Sequence, residues 1–228
     1  MKYSFTVEDP IEETIDSAKK RVKVRRELAN ALGCESRPMR QYAASVLLEV
    51  ATEDPKMVVE FESEILDALS RPEPMTVYQA LRIVDKLIGV DARVVDRTFD
   101  VIEACLHEES ATVRLSAFRT LAHYGGTTPT RSERVWPPLA DAIRCYHGDN
   151  EFAPMLSSLT DMLGAKASDQ VKTEAAWLFE FDVENSDDFL ARKAAQIVGF
   201  AKDVPGYVPG AWRDITGLPH PADEEDDE

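Results

Sequence analysis

Two copies of a Cys-x-His pair are the residues whose types could hold a metal. Cys105 and His107 form the first pair, and Cys145 and His147 form the second, 40 residues further along. Thiolate and imidazole are ligands that zinc prefers. Residues two apart on a helix, however, point about 200° apart, and neighbouring helices pack about 8–10 Å apart. We therefore interpret both histidines as helix-end residues that meet the carboxyl-terminal dipole, and we predict no metal and no cofactor.

Other patterns that carry catalysis are missing from the sequence. It contains no nucleophile elbow, P-loop, dinucleotide fingerprint or His-Glu-x-x-His pair. Cys34, Cys105 and Cys145 form an odd set without a Cys-x-x-Cys pair, which indicates neither a disulfide framework nor a zinc ribbon. We therefore predict that the protein has no catalytic residues and is not an enzyme.

Clustered charges are the second kind of candidate site. Acidic side chains share a helical face, at spacings of four and three, in two separate segments. These residues are Glu60, Glu64 and Asp67 in the first segment, and Asp96, Asp100 and Glu103 in the second. Such acidic faces would attract a basic peptide and steer its encounter. An ordinary solvated helix face is the alternative interpretation.

The basic side chains are concentrated near the amino terminus. The run contains Lys19, Lys20, Arg21, Lys23, Arg25 and Arg26. It could contact RNA, an anionic membrane or an acidic partner. Because helical spacing spreads the six bases around much of the helix circumference, the alternative is a solvated helix whose bases pair with the acidic body.

The overall charge limits which partners are plausible. The 228 residues include 26 Lys and Arg against 42 Asp and Glu, which gives a net charge of -16. Phosphate binding needs clustered Lys and Arg, so this balance disfavours nucleic acid for the chain as a whole. Residues 1–37 hold eight bases and seven acids, and they are the one region where a nucleic-acid contact stays open.

The elements that must position these residues follow from an internal repeat. Small residues recur at Ala43, Ala80, Ala117, Ser158 and Ala195, at intervals of 37, 37, 41 and 37. Apolar residues mostly follow four positions later, on the same helical face. The four-residue excess coincides with the glycine-rich segment 125–129, which we interpret as an enlarged loop.

Each repeat unit is predicted to be a pair of helices. The first helix carries the small residue, and the second shows an apolar stripe at helical spacing. The stripes are Val58, Phe61, Ile65 and Leu69 in one unit, and Val95, Phe99, Ile102 and Leu106 in the next. Asp54 before Pro55 is a plausible helix cap. Since no strand-like alternation of useful length occurs, we predict an all-α chain.

The Arg-x-x-Ala-x-x-x-Leu pattern at Arg40–Leu47 and Arg114–Leu121, with this period, resembles the HEAT-repeat family over residues 37–203. The resemblance implies an α-solenoid of about five helical-hairpin units, whose second helices line the concave side and would present the acidic faces there. Armadillo repeats are the closer competitor, although their third short helix has little room in this spacing. A compact helical bundle with chance periodicity is the remaining alternative. The family also includes bilin lyases and DNA glycosylases.

The two ends differ from the repeat body at 37–203. Residues 1–36 are predicted to form a basic amphipathic cap, with one long helix from Asp9 to Leu32. Residues 204–228 are predicted to be an extended Pro/Gly-rich segment, which folds back through Tyr207 and Trp212 over the last helix, and an acidic disordered tail. No signal peptide or membrane-length apolar run is found, which predicts a cytoplasmic protein.

These observations predict a non-enzymatic scaffold or adaptor that binds a basic protein or peptide on its acidic concave face. The residues expected to bind the partner are Glu60, Glu64, Asp67, Asp96, Asp100, Glu103, Lys19, Lys20, Lys23 and Arg26. The alternative is an enzyme or nucleic-acid-associated protein on the same scaffold, resembling a bilin lyase or a DNA-repair protein. The sequence leaves the oligomeric state open.

Overall fold

Every regular element that the structure describes is helical. The computed structural model describes residues 3–186 and 188–210, and within them it contains twelve α-helices, short 3-10 turns and no strand. The α-helices are α1 (Ile11–Lys20), α2 (Val22–Leu32), α3 (Arg37–Glu53), α4 (Glu62–Ala68), α5 (Pro74–Ile88), α6 (Arg93–Asp96), α7 (Phe99–Ala104), α8 (Ala111–Gly125), α9 (Pro129–Cys145), α10 (Phe152–Gly164), α11 (Asp169–Asn185) and α12 (Asp188–Gly199). The all-α prediction is confirmed. None of these helices is long and apolar enough to cross a membrane.

Polar side chains and prolines set where several helices begin. The hydroxyls of Ser36, Thr128 and Ser168 accept hydrogen bonds from backbone amides three residues on, at the starts of α3, α9 and α11. A proline stands in the first turn of α3, α5 and α9, where its missing N–H has no intrahelical acceptor to lose. Asp54 accepts from the amide two residues on at 3.0 Å and caps the 3-10 turn Pro55–Met57, as predicted.

The helices fall into two compact units, Met1–Tyr124 and Gly125–Glu228. In the first unit, α1 packs on α3, α2 packs on α3 and α4, and α3 packs on α5. Helices one repeat apart therefore stack on one another. The small residues that set the predicted period are buried: Ala43, Ala80 and Ala117 each expose 1% of their surface or less. The predicted period of 37 is thus confirmed for these three repeats.

The second helices of the first unit are buried as predicted, but they are segmented. All eight residues of the two predicted apolar stripes are buried. The first stripe begins at Val58, between the 3-10 turns Pro55–Met57 and Val59–Phe61, and continues into α4. The second runs through α6 and α7, which are separated at Thr98, where φ is -138° and ψ is 21°. Each break shifts the backbone locally, and the stripe still faces the interior.

The amino-terminal segment contains two helices where the sequence predicts one. Arg21 adopts an extended conformation, with φ -132° and ψ 110°, between α1 and α2. The buried guanidinium of Arg25 donates to the carbonyl of Ala18 at 2.6 Å and to that of Lys19 at 3.3 Å, which satisfies carbonyls that the break leaves without helical partners. Val22, which one continuous helix would bury, is 46% exposed. The predicted single helix from Asp9 to Leu32 is therefore a helical pair.

The arginine of the repeat pattern anchors the loop that precedes its helix. Arg40 Nη1 donates to the carbonyls of Cys34 at 2.6 Å and Glu35 at 2.9 Å. Arg114 Nη1 donates at 2.9 Å to both Glu108 and Glu109 carbonyls, which stand at the same offsets of six and five residues. These bonds give the arginine of the Arg-x-x-Ala-x-x-x-Leu pattern a structural role in the first unit.

Polar side chains about one repeat apart also join the stacked helices of the first unit. The Arg40 guanidinium pairs with Glu73, and the two side chains are only 10% and 7% exposed. This pairing holds the pKa of Glu73 below its ordinary value. The side-chain amide of Gln79 donates a hydrogen bond to the hydroxyl of Ser45, which stands 34 residues earlier in the chain. These contacts fix the register of neighbouring repeats.

The second unit follows the predicted register less closely. α11 packs on α12 and α9, and α10 packs on α12. Ser158 is only half-buried, and Ala195, predicted to lie at a helix contact, is exposed, whereas Ala194 beside it is buried. The predicted register of the last repeat is therefore off by one residue at this contact.

The four extra residues of the third repeat lie at a different place from the predicted one. Only residues 126–128 connect α8 to α9, so the segment 125–129 is not an enlarged loop. The added length is in the 17-residue α9 and in the connection 146–151 that follows it. Added residues can lengthen a helix instead of a loop, and the glycine content of the segment 125–129 did not distinguish these two outcomes.

Candidate protein-binding surface

The first acidic cluster lies on and just before α4 in the first unit. Glu60 and Asp67 are exposed, and Glu64 is half-buried. Glu60 forms an ion pair with Arg26 of α2 at 2.8 Å. Glu64 and Asp67 make no hydrogen bond or ion pair with any residue that the structure describes. Two of the three carboxylates are therefore available to a partner.

The second acidic cluster lies on α6 and α7. Asp96 and Asp100 are exposed, and Glu103 is half-buried. Asp96 accepts a hydrogen bond from the hydroxyl of Tyr124. Within residues 3–186 and 188–210, Asp100 and Glu103 have no polar partner. This cluster, like the first, has one carboxylate engaged within the protein and two without a partner in the described part of the chain.

A cleft of about 550 Å³ separates the segments that carry the two clusters. Asp67 lines one wall, and Thr98 lines the other. The cleft also contains Arg71 and Arg97, which the sequence analysis did not select. Arg97 forms a bidentate pair with Glu62, with N–O distances of 2.6 and 2.8 Å, and so joins the two segments. The surface between the two acidic clusters therefore carries both acidic and basic side chains.

The signal for that pair was present in the sequence. Glu62 and Arg97 stand 35 residues apart, which is close to one repeat. Opposite charges at that separation fall on stacked neighbouring helices. Testing each charged residue against the residues one repeat away would have identified this pair.

Three of the five basic residues of α1 and α2 pair with nearby carboxylates. Lys19 forms an ion pair with Glu53, and this hydrogen bond raises the pKa of Lys19 above its ordinary value. Lys23 lies 4.0 Å from Glu27. Lys20 is exposed, without an ion pair to any described residue.

Arg26 joins the predicted basic site to the predicted acidic site. Its guanidinium lies 5.2 Å from the centre of the Phe61 ring in addition to pairing with Glu60. A cation over an aromatic face is attracted by the ring quadrupole. The structure therefore brings one residue from each predicted partner-binding set into direct contact.

The Cys-x-His pairs lie in different units. Cys105 is buried, and burial raises the pKa of its thiol to about 11, whereas His107 is exposed. Cys145 and His147 are both exposed, and His147 Nε2 lies 3.5 Å from an Asp182 oxygen. Among the described residues, no three potential metal-binding side chains come together.

A second surface of interest lies on α11 in the second unit. Residues 204–210 lie against this helix, where Tyr207 donates to the Glu180 carboxylate and the Trp177 indole donates to the Val208 carbonyl. The fold-back contact predicted for Tyr207 is thus present, but on α11 instead of the last helix, α12. The other predicted anchor, Trp212, and the acidic run 222–228 lie outside the described residues.

Comparison with known proteins identifies the fold. No protein-family model and no curated protein matches the sequence. Among solved structures, an engineered protein is 13% identical and has a TM-score of 0.65, with 87% of this chain and 92% of that chain covered. A computationally designed armadillo repeat protein for modular peptide recognition is 10% identical, with a TM-score of 0.63 and 83% and 91% coverage.

A further designed armadillo repeat protein, in complex with the peptide (KR)4, is 10% identical and has a TM-score of 0.65, with 84% of this chain and 91% of that chain covered. At such low identity, these likenesses show the fold alone. They agree with the stacked helical repeats described above. The chain therefore has the α-solenoid repeat fold.

Proposed function

We propose that the protein is a non-enzymatic scaffold or adaptor that binds a basic peptide or a basic protein segment. The observation that carries this proposal is the set of four carboxylates without a partner among the described residues: Glu64, Asp67, Asp100 and Glu103. They stand on second-helix segments of adjacent repeats in the first unit. A designed solenoid of similar fold binds the peptide (KR)4, which supports a partner of this chemistry.

The expected mode of binding is additive and electrostatic. A single exposed ion pair contributes only about 0.2–1 kcal/mol, so affinity must come from several pairs formed together. Alternating Lys and Arg in an extended peptide could reach carboxylates on both segments. Since exposed charges are screened by salt, binding should weaken as ionic strength rises.

The remaining parts of the proposal concern the type of repeat and the compartment. We propose that the repeats are HEAT-like pairs, in which the short helical segments that follow α3 and α5 together act as one second helix. The basic residues Lys19, Lys20, Lys23 and Arg26 are proposed as a second contact for an acidic part of the partner. We place the protein in the cytoplasm.

A titration with a labelled (Lys-Arg)4 peptide tests the proposal. The variant Glu64→Gln/Asp67→Asn/Asp100→Asn/Glu103→Gln removes the four carboxylates and keeps their approximate size. Four pairs at about 0.2–1 kcal/mol each predict a loss of affinity between about fourfold and several hundredfold. Fluorescence anisotropy at two salt concentrations measures this loss.

The matched control removes the same charge from another part of the same unit. Glu8, Glu12, Glu13 and Asp16 are exposed carboxylates near and on α1. Their joint change to Gln and Asn should alter affinity by much less, because net charge alone acts only at long range. Equal losses in the two variants would show that the peptide responds to net charge, and the proposed surface would be wrong.

A further inference from the structure

We propose that the face of α11 formed by Trp177 and Glu180, here called the α11 face, is a binding site for peptides of the type Tyr-x-Pro-Gly. In this view, residues 204–210 of the chain occupy the site in cis. The inference deepens the scaffold function and rests on it, but it concerns another unit and another partner chemistry than the acidic clusters.

Three hydrogen bonds define what the α11 face recognises. Trp177 Nε1 donates to the carbonyl of Val208 at 3.2 Å. The Glu180 carboxylate accepts from the Tyr207 hydroxyl through one oxygen and from the Gly210 amide, at 2.8 Å, through the other. Two of these contacts use backbone groups, and one requires a hydroxyl. Side chains at the positions of Val208 and Pro209 are therefore not selected by hydrogen bonding.

Glu180 has an environment suited to a donor-bearing ligand. It is half-buried and has no cationic partner among the described residues. Its hydrogen-bond donors come from residues 204–210. Hydrogen bonds to an ionised carboxylate are stronger than those between neutral groups. Burial and the contact with Glu180 raise the pKa of Tyr207, which keeps its hydroxyl protonated as a donor.

The bound segment is shaped by Pro-Gly turns. The Tyr207 amide donates to the Val204 carbonyl at 3.1 Å, and Gly206 has φ +87°, as a type II turn with Pro205 at its second position requires. The sequence Val-Pro-Gly then repeats, and Gly210 has φ +79°. A turn of this kind limits the conformations of the free peptide, so less entropy is lost when it binds.

The segment leaves part of the surface unoccupied. A cleft of about 290 Å³ lies between residues 204–206 and the first half of α11, and Asp169, Glu174 and Trp177 line it. Val208 is 58% exposed, so the segment is only partly covered by the protein. A partner peptide with basic residues before its turn could fill this cleft as well. The site is therefore larger than the segment that occupies it.

The test uses a full-length variant in which the cis segment is released. Tyr207→Phe removes the hydroxyl, and Gly210→Pro removes the amide donor and cannot adopt a positive φ. A labelled peptide with the sequence of residues 202–211 is titrated into the wild-type chain and this variant. If the segment occupies its site 90–99% of the time, release should raise the apparent affinity about 10- to 100-fold.

Two further variants, added to the released chain, assign the site. Glu180→Gln should reduce peptide affinity at least tenfold, because the carboxylate accepts two hydrogen bonds from the ligand. Glu184→Gln, one turn further along α11 at an exposed position, should leave the affinity unchanged. A peptide whose tyrosine is replaced by phenylalanine should bind more weakly to the released chain.

Two results would overturn the inference. One is a released variant with an unchanged circular dichroism spectrum that fails to bind the peptide, since the segment would then be structural only. The other comes from hydrogen exchange of the wild-type Gly210 amide, which should proceed by local opening, well before global unfolding. If the Gly210 amide exchanged its hydrogen only through global unfolding, the segment 204–210 would not leave the α11 face in the folded chain, and the inference would be wrong. Binding of (Lys-Arg)4 to the acidic clusters is measured separately, so its outcome does not decide this one.

Discussion

The same arginine of the repeat pattern has different surroundings in the two units of the chain. In the first unit, Arg40 is buried, bonds the preceding loop and pairs with Glu73. In the second unit, Arg192 occupies the corresponding position of the sequence pattern, one residue out of the structural register, and it is exposed, without a polar partner among the described residues. Ala195, three residues later, is exposed as well, whereas Ala43 is buried.

This difference shows that a repeat motif acquires its role from its neighbours. An arginine at the start of a first helix is structural only where a loop presents carbonyls to it and an adjacent repeat supplies a carboxylate. A small residue permits close packing only where another helix approaches. Periodicity in the sequence therefore indicates where a helix can be placed, and the contacts decide what each position contributes.

The largest expected effect is the loss of the buried Arg40–Glu73 pair. Arg40→Met leaves the Glu73 carboxylate buried without its cation and two loop carbonyls without a donor. Removing one partner of a buried pair typically costs about 3–5 kcal/mol. Urea unfolding followed by circular dichroism measures the change in the free energy of unfolding.

Two control variants sharpen this first comparison. Arg192→Met, at the corresponding exposed position, should change stability by no more than about 0.5 kcal/mol. Arg40→Met/Glu73→Met should recover part of the loss, because no uncompensated charge remains buried. Similar losses for the Arg40 and Arg192 variants would mean that the two positions have equivalent roles.

A smaller effect is expected from filling the space beside Gly125, which allows close packing in the second unit. A Cβ added there would lie 2.6 Å from Val135 Cγ2 and 2.7 Å from Met162 Sδ. Overpacking costs about 1–3 kcal/mol, and the better helix propensity of alanine offsets up to about 1 kcal/mol. We therefore expect Gly125→Ala to lower the thermal midpoint.

The matched substitution is Gly199→Ala in α12. A Cβ at Gly199 meets no atom within 4 Å, so only the gain in helix propensity applies. This variant should be as stable as the wild type or slightly more stable in the same calorimetric scan. A stabilised Gly125→Ala chain would show that the neighbouring side chains move aside without cost.

The smallest expected effect is a dependence of stability on pH in the first unit. A hydrogen bond with Asp85 raises the pKa of His123, which is partly opposed by burial and by Lys86. A raised pKa means that the native state binds the proton more tightly. The stabilisation is therefore complete below the unfolded pKa of about 6.5 and is lost as pH rises through the folded value.

Because His123 is about half exposed, this contribution should stay below about 1 kcal/mol. Comparing His123→Gln with the wild type by thermal unfolding at pH 5.5 and pH 8.5 isolates it. The difference between the two proteins should be larger at the lower pH. A larger difference at pH 8.5 would contradict the assigned direction of the pKa change.

The fold was largely predictable from the sequence because the pattern of each helical pair is set by nearby residues. Buried small residues and apolar stripes follow helical spacing within a pair, and the same pattern recurs in the next pair. The break at Arg21 was not predictable in the same way, because it depends on the buried Arg25 reaching back to carbonyls of the preceding helix. An arginine side chain has an apolar stem and a charged end, and the sequence alone does not show whether the charged end will be buried.

The candidate site was predictable only in part. The acidic clusters could be identified from helical spacing, but the engagement of Glu60 by Arg26 and of Asp96 by Tyr124 depends on helices distant in sequence. The α11 face was missed because its donors and acceptors belong to an aromatic side chain, a glutamate and a backbone turn. None of these is unusual by itself.

The bonds of Arg40 also have a mechanical consequence. Its guanidinium holds the loop before α3 through Cys34 and Glu35, and it holds the loop before α5 through Glu73. One rigid planar group thus connects two successive loops of the first unit, which are the joints between its stacked helices. A bending force applied at either joint would be transmitted to the other, so these two joints should flex together as a single elastic element.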